Sequence, residues 1–142
     1  MRGAWIPALA VTAVLAGCGS YGQKRGSEES AAVRALEGHM SALQRGDLKA
    51  AYEGLSWRRR EQFKFADLQA NYAAHRELYQ HRAEGKVVKT FYDDFRVVAK
   101  VVNGDGAVEF ISMVPEGGGW RVEDAGQTLA EICGRTGSPG RR

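Results

Sequence analysis

The chain has little of what usually staples or activates a small protein. Its 142 residues hold two cysteines, Cys18 and Cys133, too few for a disulfide framework. Of the three histidines, His39, His75 and His81, the last two are not joined by any acidic pair at ligand spacing, and neither H-x-x-x-H nor H-E-x-x-H occurs, so no metal is expected. No proline falls between Pro7 and Pro115, which leaves the middle of the chain free to form uninterrupted elements. The longest apolar stretch, Ile6 to Ala16 with Thr12 as its one polar residue, is well short of the ~20 residues that span a bilayer. Charge of one sign is also missing. The formal net charge is +3, from 20 basic and 17 acidic residues of mixed placement, which argues against a nucleic-acid partner. There is no internal repeat and no catalytic family motif, and no cofactor is expected.

What is present begins at the N-terminus. Met1-Arg2 supplies a basic start, the apolar stretch follows, and Leu15-Ala16-Gly17-Cys18 closes it with small residues running into a thiol. This tetrapeptide resembles the lipobox of bacterial lipoproteins at all four positions. The resemblance implies cleavage before Cys18, a diacylglyceryl thioether on its sulfur and acylation (palmitate and its kin) of the new amino group. One acyl chain holds a protein only marginally, whereas two or three anchor it stably. Residue 19 is glycine rather than the aspartate that marks inner-membrane retention in many enteric bacteria. The expected location is therefore the cell envelope: the outer membrane where the source has two membranes, otherwise the outward face of the plasma membrane. With Cys18 lipidated, Cys133 is left single, either buried as a small apolar group or a route to an intermolecular bridge.

Removal of residues 1–17 leaves 125, one ordinary domain, with a formal charge of +2 after the loss of Arg2. Residues 18–27 read as the lipidated cysteine and a flexible Gly/Ser-rich tether, 28–133 as the folded domain and 134–142 as a disordered basic tail. Within the domain, Ser27 can cap a helix carrying Val33, Leu36, Met40 and Leu43 on one side, stopped by Gly46. Asp47 caps a second helix with Leu48, Ala51, Tyr52 and Leu55 as its stripe. After Ser56, Trp57 to Gln62 makes a further turn or two of helix. Trp57 is expected to pack inward with Arg58, Arg59 and Arg60 in water; the other reading is an anion or head-group site. A third long helix runs roughly from Ala66 to Leu78, with Leu68, Tyr72, His75 and Tyr79 in rhythm. From about Gly85 the period changes to two. Strands are expected around Val87 to Tyr92, Phe95 to Val102, Ala107 to Val114 and Trp120 to Glu123, joined by turns at Asn103-Gly104-Asp105-Gly106 and Glu116-Gly117-Gly118-Gly119. Thr128 to Cys133 can add a helical turn.

Helices followed by a meander of strands make an α+β fold, with N-terminal helices packed on a curved antiparallel sheet. The wording from Ala35 to Leu43, Gln44-Arg45-Gly46-Asp47, Ala50-Ala51-Tyr52, Leu55-Ser56, the arginine run and Phe63, with Gly119-Trp120-Arg121-Val122 later, resembles secreted lipoproteins of the nuclear-transport-factor-like superfamily. That resemblance implies a cone of helices against a bent sheet, able to enclose a pocket, as monomer or homodimer. Some members, of the ketosteroid isomerase and cyclase type, use the pocket for acid–base chemistry. Here the candidates for that role would be His39, Tyr52, Tyr72, Asp93 and Asp94, but no family catalytic motif maps onto them. The expectation is a non-enzymatic, membrane-anchored binding or interaction module whose partner is an envelope protein or a small amphipathic ligand. Its interior is either open or filled by Leu36, Met40, Tyr52, Tyr72, Phe95 and Trp120.

Overall fold

The computed structural model describes the backbone of residues 16–135 and the side chains of residues 26–132. The lead helix α1, Ala16–Arg45, buries Ala32, Leu36, Met40 and Leu43 along one line, the i, i+4 spacing of a single helix face. Val33, expected on that stripe, is half-buried, and Ala32 takes the deeper place because its small side chain lets the helix approach the sheet. Gly46 ends α1 at φ +72°, with Asp47 N–H donating to Ala42 O at 2.9 Å, a closure that needs a left-handed residue. The N-terminal end departs from the expected tether. Residues 16–27 are helical and continuous with α1, since no proline stops the helix there, although each glycine weakens it by about 1 kcal/mol relative to alanine.

Four short helices follow. In α2, Leu48–Glu53, Asp47 accepts from Ala50 N–H at 3.2 Å; in α3, Trp57–Gln62, Ser56 accepts from Arg59 N–H at 3.1 Å. The expected single helix over 66–78 is two, α4 (Phe65–Ala74) and α5 (Arg76–Ala83), hinged at His75. At φ −129° His75 leaves the helical region, so it faces water rather than joining the stripe. Tyr79 packs tilted against Tyr72, 5.6 Å between ring centres. Asp67 helps start α4 by accepting from Lys64 N–H at 2.8 Å.

The second half is a four-stranded antiparallel sheet in the order β1-β2-β3-β4, where β1 is Lys86–Asp93, β2 Arg96–Val102, β3 Val108–Glu116 and β4 Gly119–Gly126. Sequential antiparallel neighbours need only short turns, and the residues of these turns suit them. Gly117 and Gly118 both hold positive φ, the requirement of a two-residue hairpin whose twist matches the strands. The α+β fold class read from the sequence is therefore what the chain adopts. Val97, Ala99 and Val101 of β2 meet Ala32, Leu36 and Met40 of α1, together with Met113, Val122 and Leu55, in the main core. A smaller cluster of Ala42, Leu43, Ala51 and Ala83 binds the helices to one another.

Three departures reshape the ends of this sheet. A bulge in β4 opposes both Val122 and Glu123 to the step between Met113 and Ser112, so Glu123 does not simply alternate to the far side. The segment Gly54-Leu55-Ser56 pairs with the edge of β4, through Ser56 N–H to Val122 O at 2.7 Å and Val122 N–H to Gly54 O at 2.9 Å. Helix α6, Leu129–Arg135, packs Ile132 on the sheet face away from α1, beneath Gly126, which is in register with Phe110. Its first turn is closed by Thr128 and Glu131, each accepting from backbone N–H groups of the other's segment. Of the disordered tail expected from residue 134, Gly134 and Arg135 are helical instead, and the rest of that expectation lies outside the described residues. Phe95, expected inside, is 56% exposed because it sits in the β1–β2 turn rather than in β2.

Candidate functional site

A cavity of about 250 Å³ lies between the helices and the sheet. That space equals about eight waters at liquid density. Its floor is apolar: Met40 and Leu43 from α1, Leu55, Phe63, Leu68 from α4, and Ile111 and Val122 from the sheet. Its rim is polar, with His39, Arg59, Asn71, Tyr79, Arg82, Glu109, Glu123 and Asp124. A second, more open hollow of about 490 Å³ shares Arg59, Arg82, Asp124 and Ala125 with the cavity and adds Arg58 and Gln62, forming its approach.

The charges on this rim are ordered by pairing. Arg82 of α5 donates twice to Glu109 of β3, through Nη2 at 2.8 Å and Nε at 3.1 Å, and Asn103 Nδ2 donates to the other carboxylate oxygen at 3.0 Å. Glu109 shares the inward face of β3 with Ile111 and Met113, so its carboxylate is nearly buried and depends on these donors. Arg58 reaches Glu123 at 3.6 Å, and Arg60 reaches Glu116 at 3.4 Å. Among the described residues no carboxylate lies within ion-pairing distance of Arg59; its guanidinium stands 5.3 Å from the centre of the Phe63 ring. An arginine stacked on an aromatic wall of the cavity keeps its outer donors for something else.

His39 lies deep in α1, and its Nδ1 donates to Ala51 O at 2.9 Å. Because a carbonyl only accepts, the proton is on Nδ1 and Nε2 is the acceptor. Burial pushes its pKa below the usual histidine value, partly opposed by that hydrogen bond, so the ring is neutral at pH 7. The ring is held close: a Cβ on Gly54 would come within 3.1 Å of Nδ1. Burial raises the Tyr79 hydroxyl above its ordinary value, opposed by the charges of Arg82 and Arg59.

Of the acid–base candidates suggested by sequence, His39 alone lines this cavity; Arg59, named with Arg58 and Arg60 for an anion site, and Met40, named as an interior filler, line it too. Tyr52 packs edge-on against Phe65 at 5.5 Å and donates its hydroxyl to Arg60 O at 3.2 Å. Tyr72 donates to Leu43 O at 3.5 Å. Asp93 binds Arg96 at 2.8 Å, and Asp94 occupies the β1–β2 turn at φ +57°, both away from the cavity. Trp57, expected to pack inward, is 64% exposed, because α3 turns its first residue outward while Leu55 and Ser56 hold the chain to β4. His81 meets only Glu77, at 3.6 Å, and among the described residues no three His, Cys, Asp or Glu groups come together as a metal site would require. Leu15 lies outside the described residues. Ala16, Gly17 and Cys18 are in the first turn of α1, and Cys133 is in α6; the side chains of these four are outside the described set. Arg82, Glu109 and Glu123 were missed. Glu109 had left a signal, a carboxylate in step with Ile111 and Met113 on the face a strand gives to its core.

Among the described residues no helix is long and apolar enough to cross a membrane. No protein-family model matches the chain, and neither does any curated protein or solved structure.

Proposed function

We propose that the chain is a lipid-anchored lipoprotein of the bacterial cell envelope, with a domain of nuclear-transport-factor-like design that binds a small amphipathic ligand without transforming it. The observation that carries the binding reading is the cavity itself: an apolar floor with one stacked, carboxylate-free guanidinium, Arg59, at its mouth. Such a site takes an apolar body inward and leaves an anionic head for Arg59. Helices laid on one face of an antiparallel meander, with a cavity between the layers, support the superfamily design. Anchoring rests on Leu15-Ala16-Gly17-Cys18. The location is the outer membrane in a source with two membranes, otherwise the outward face of the plasma membrane. The domain acts as a monomer: edge strand β1 carries a bulge at Val88 flanked by Lys86 and Lys89, features that discourage strand-to-strand pairing.

A short fatty acid such as octanoate is the probe for the cavity. Calorimetric titration should detect binding that Arg59→Met weakens about tenfold, the equivalent of ~1.4 kcal/mol. Equal affinity in the variant would remove Arg59 from the reading. For the anchor, Cys18→Ala should abolish fatty-acid labelling and leave uncleaved or soluble protein; unchanged labelling would refute lipidation at this residue.

A second reading is favoured by one observation, that the neutral His39 and Tyr79 both line the same cavity. A base and a hydroxyl donor on one wall are the elements of acid–base chemistry of the ketosteroid isomerase type. That reading predicts a reaction lost in His39→Gln with ligand binding retained.

A further inference from the structure

The two largest exposed apolar side chains, Trp57 and Phe95, belong to different halves of the sequence yet stand at one end of the molecule. Phe95 is in the turn between β1 and β2. Trp57 is tied to the turn between β3 and β4, its backbone N–H donating to both carboxylate oxygens of Glu116 at 3.0 and 2.9 Å. In a meander these two turns fall on the same edge of the sheet, two strand spacings or about 10 Å apart.

The N-terminal end of α1 points to this same edge. Glu28 accepts from Tyr92 OH at 2.6 Å and Glu29 from Thr90 Oγ1 at 2.7 Å, both near the turn end of β1. At the far end of the sheet, Met40 packs by Gly85, just before β1 starts. Helix and strand therefore run in opposite directions, and their heights can be compared. Cys18 precedes Glu28 by ten residues, about 15 Å of helix. Phe95 lies in the turn closed by the Asp93–Arg96 pair, one strand step and the turn itself beyond Tyr92, about 5 Å. The backbone of Cys18 then stands about 10 Å beyond the turn along α1, at the same end of the molecule as the exposed rings, and an α1 inclined to the bilayer brings both to its surface.

The geometry points to a membrane-facing edge: Phe95 and Trp57 enter the head-group region of the bilayer that holds Cys18, and the domain lies against the lipid rather than swinging above it. This rests on the lipid anchor proposed above. Tryptophan is favoured at that depth, where its ring meets acyl chains and its N–H meets water and phosphate. Arg58, half-exposed beside Trp57, is placed for lipid phosphates. The helical residues 18–27 serve as a stiff spacer that sets the height, which a flexible tether would not do.

The test uses the lipidated mature chain in phosphatidylethanolamine–phosphatidylglycerol vesicles. Trp5 departs with residues 1–17, so Trp120→Phe leaves Trp57 as the tryptophan observed. Its emission should fall when head-group spin-labelled lipid is included, and the vesicles should shield it from acrylamide. Should Trp120→Phe impair folding, the difference between the unmodified chain and Trp57→Phe reads the same signal. A chain that sediments with vesicles while Trp57 ignores the spin label and stays open to acrylamide overturns the inference and leaves this edge to a protein partner. A lipidated chain that fails to sediment at all refutes the anchor, and the edge proposal with it.

Discussion

Removing Arg82 tests whether the polar rim of the cavity is held by its buried carboxylate. In Arg82→Met the methylene stem keeps much of its packing, but among the described residues Glu109 loses two of its three hydrogen bonds and its one cation. The Glu109 side chain is 11% exposed and that of Arg82 39%, so the pair lies between two regimes. Exposed pairs contribute about 0–1 kcal/mol. Breaking a fully buried pair costs about 3–5 kcal/mol because one charge is left unpaired. Half-exposure of the guanidinium screens the interaction, which places the expected loss at about 2 kcal/mol. Urea denaturation followed by circular dichroism should show a lower midpoint with an unchanged m-value. Glu109→Gln in the same chain should recover part of the loss, since a neutral amide tolerates burial beside Asn103 better than a lone carboxylate. Strictly additive single and double variants, or a loss below ~0.5 kcal/mol, would refute the view that Arg82 exists to neutralise Glu109.

Other perturbations probe neighbouring features. His39 has a folded-state pKa below its unfolded value of about 6.5, so the unfolded chain binds the proton first and stability falls as pH drops below ~6.5. His39→Gln should flatten that acid limb in thermal melts at pH 7 and 5, and an equal fall in both proteins would contradict the assignment. Gly85→Ala would place a Cβ 2.7 Å from Val101 Cγ1 and 2.9 Å from Arg82 O, a clash with the backbone that should cost about 1–3 kcal/mol in urea denaturation. Leu36→Ala, at a fully buried core position, should cost about 2–5 kcal/mol by the same assay, with a loss under ~1 kcal/mol inconsistent with its packing against the sheet.

Much of the fold was legible along the chain because it is written in local chemistry. The switch from a period near 3.6 to a period of two at Gly85 separated helices from strands. Gly46, Gly117 and Gly118 marked turns whose positive φ glycine adopts readily, and Asp47 and Ser56 marked caps whose side chains accept the first free backbone N–H groups. The site was far less legible. His39 could be suspected, but its neighbours Arg82, Glu109 and Glu123 come from an α5 split off at His75, an inward strand position and a bulge in β4. Each depends on how elements pack rather than on spacing.

The two aromatic residues show the same division. By itself the sequence determined that helices precede an antiparallel meander and where most turns fall. These follow from nearest-neighbour sterics and periodic burial, which act over a few residues. Tertiary structure alone decided that Phe95 and Trp57 face water at one end of the sheet, that α6 covers the opposite sheet face, and that the layers leave a cavity. Those outcomes are settled by contacts between residues tens of positions apart, such as Trp57 with Glu116 and Arg82 with Glu109, whose energies no local pattern records.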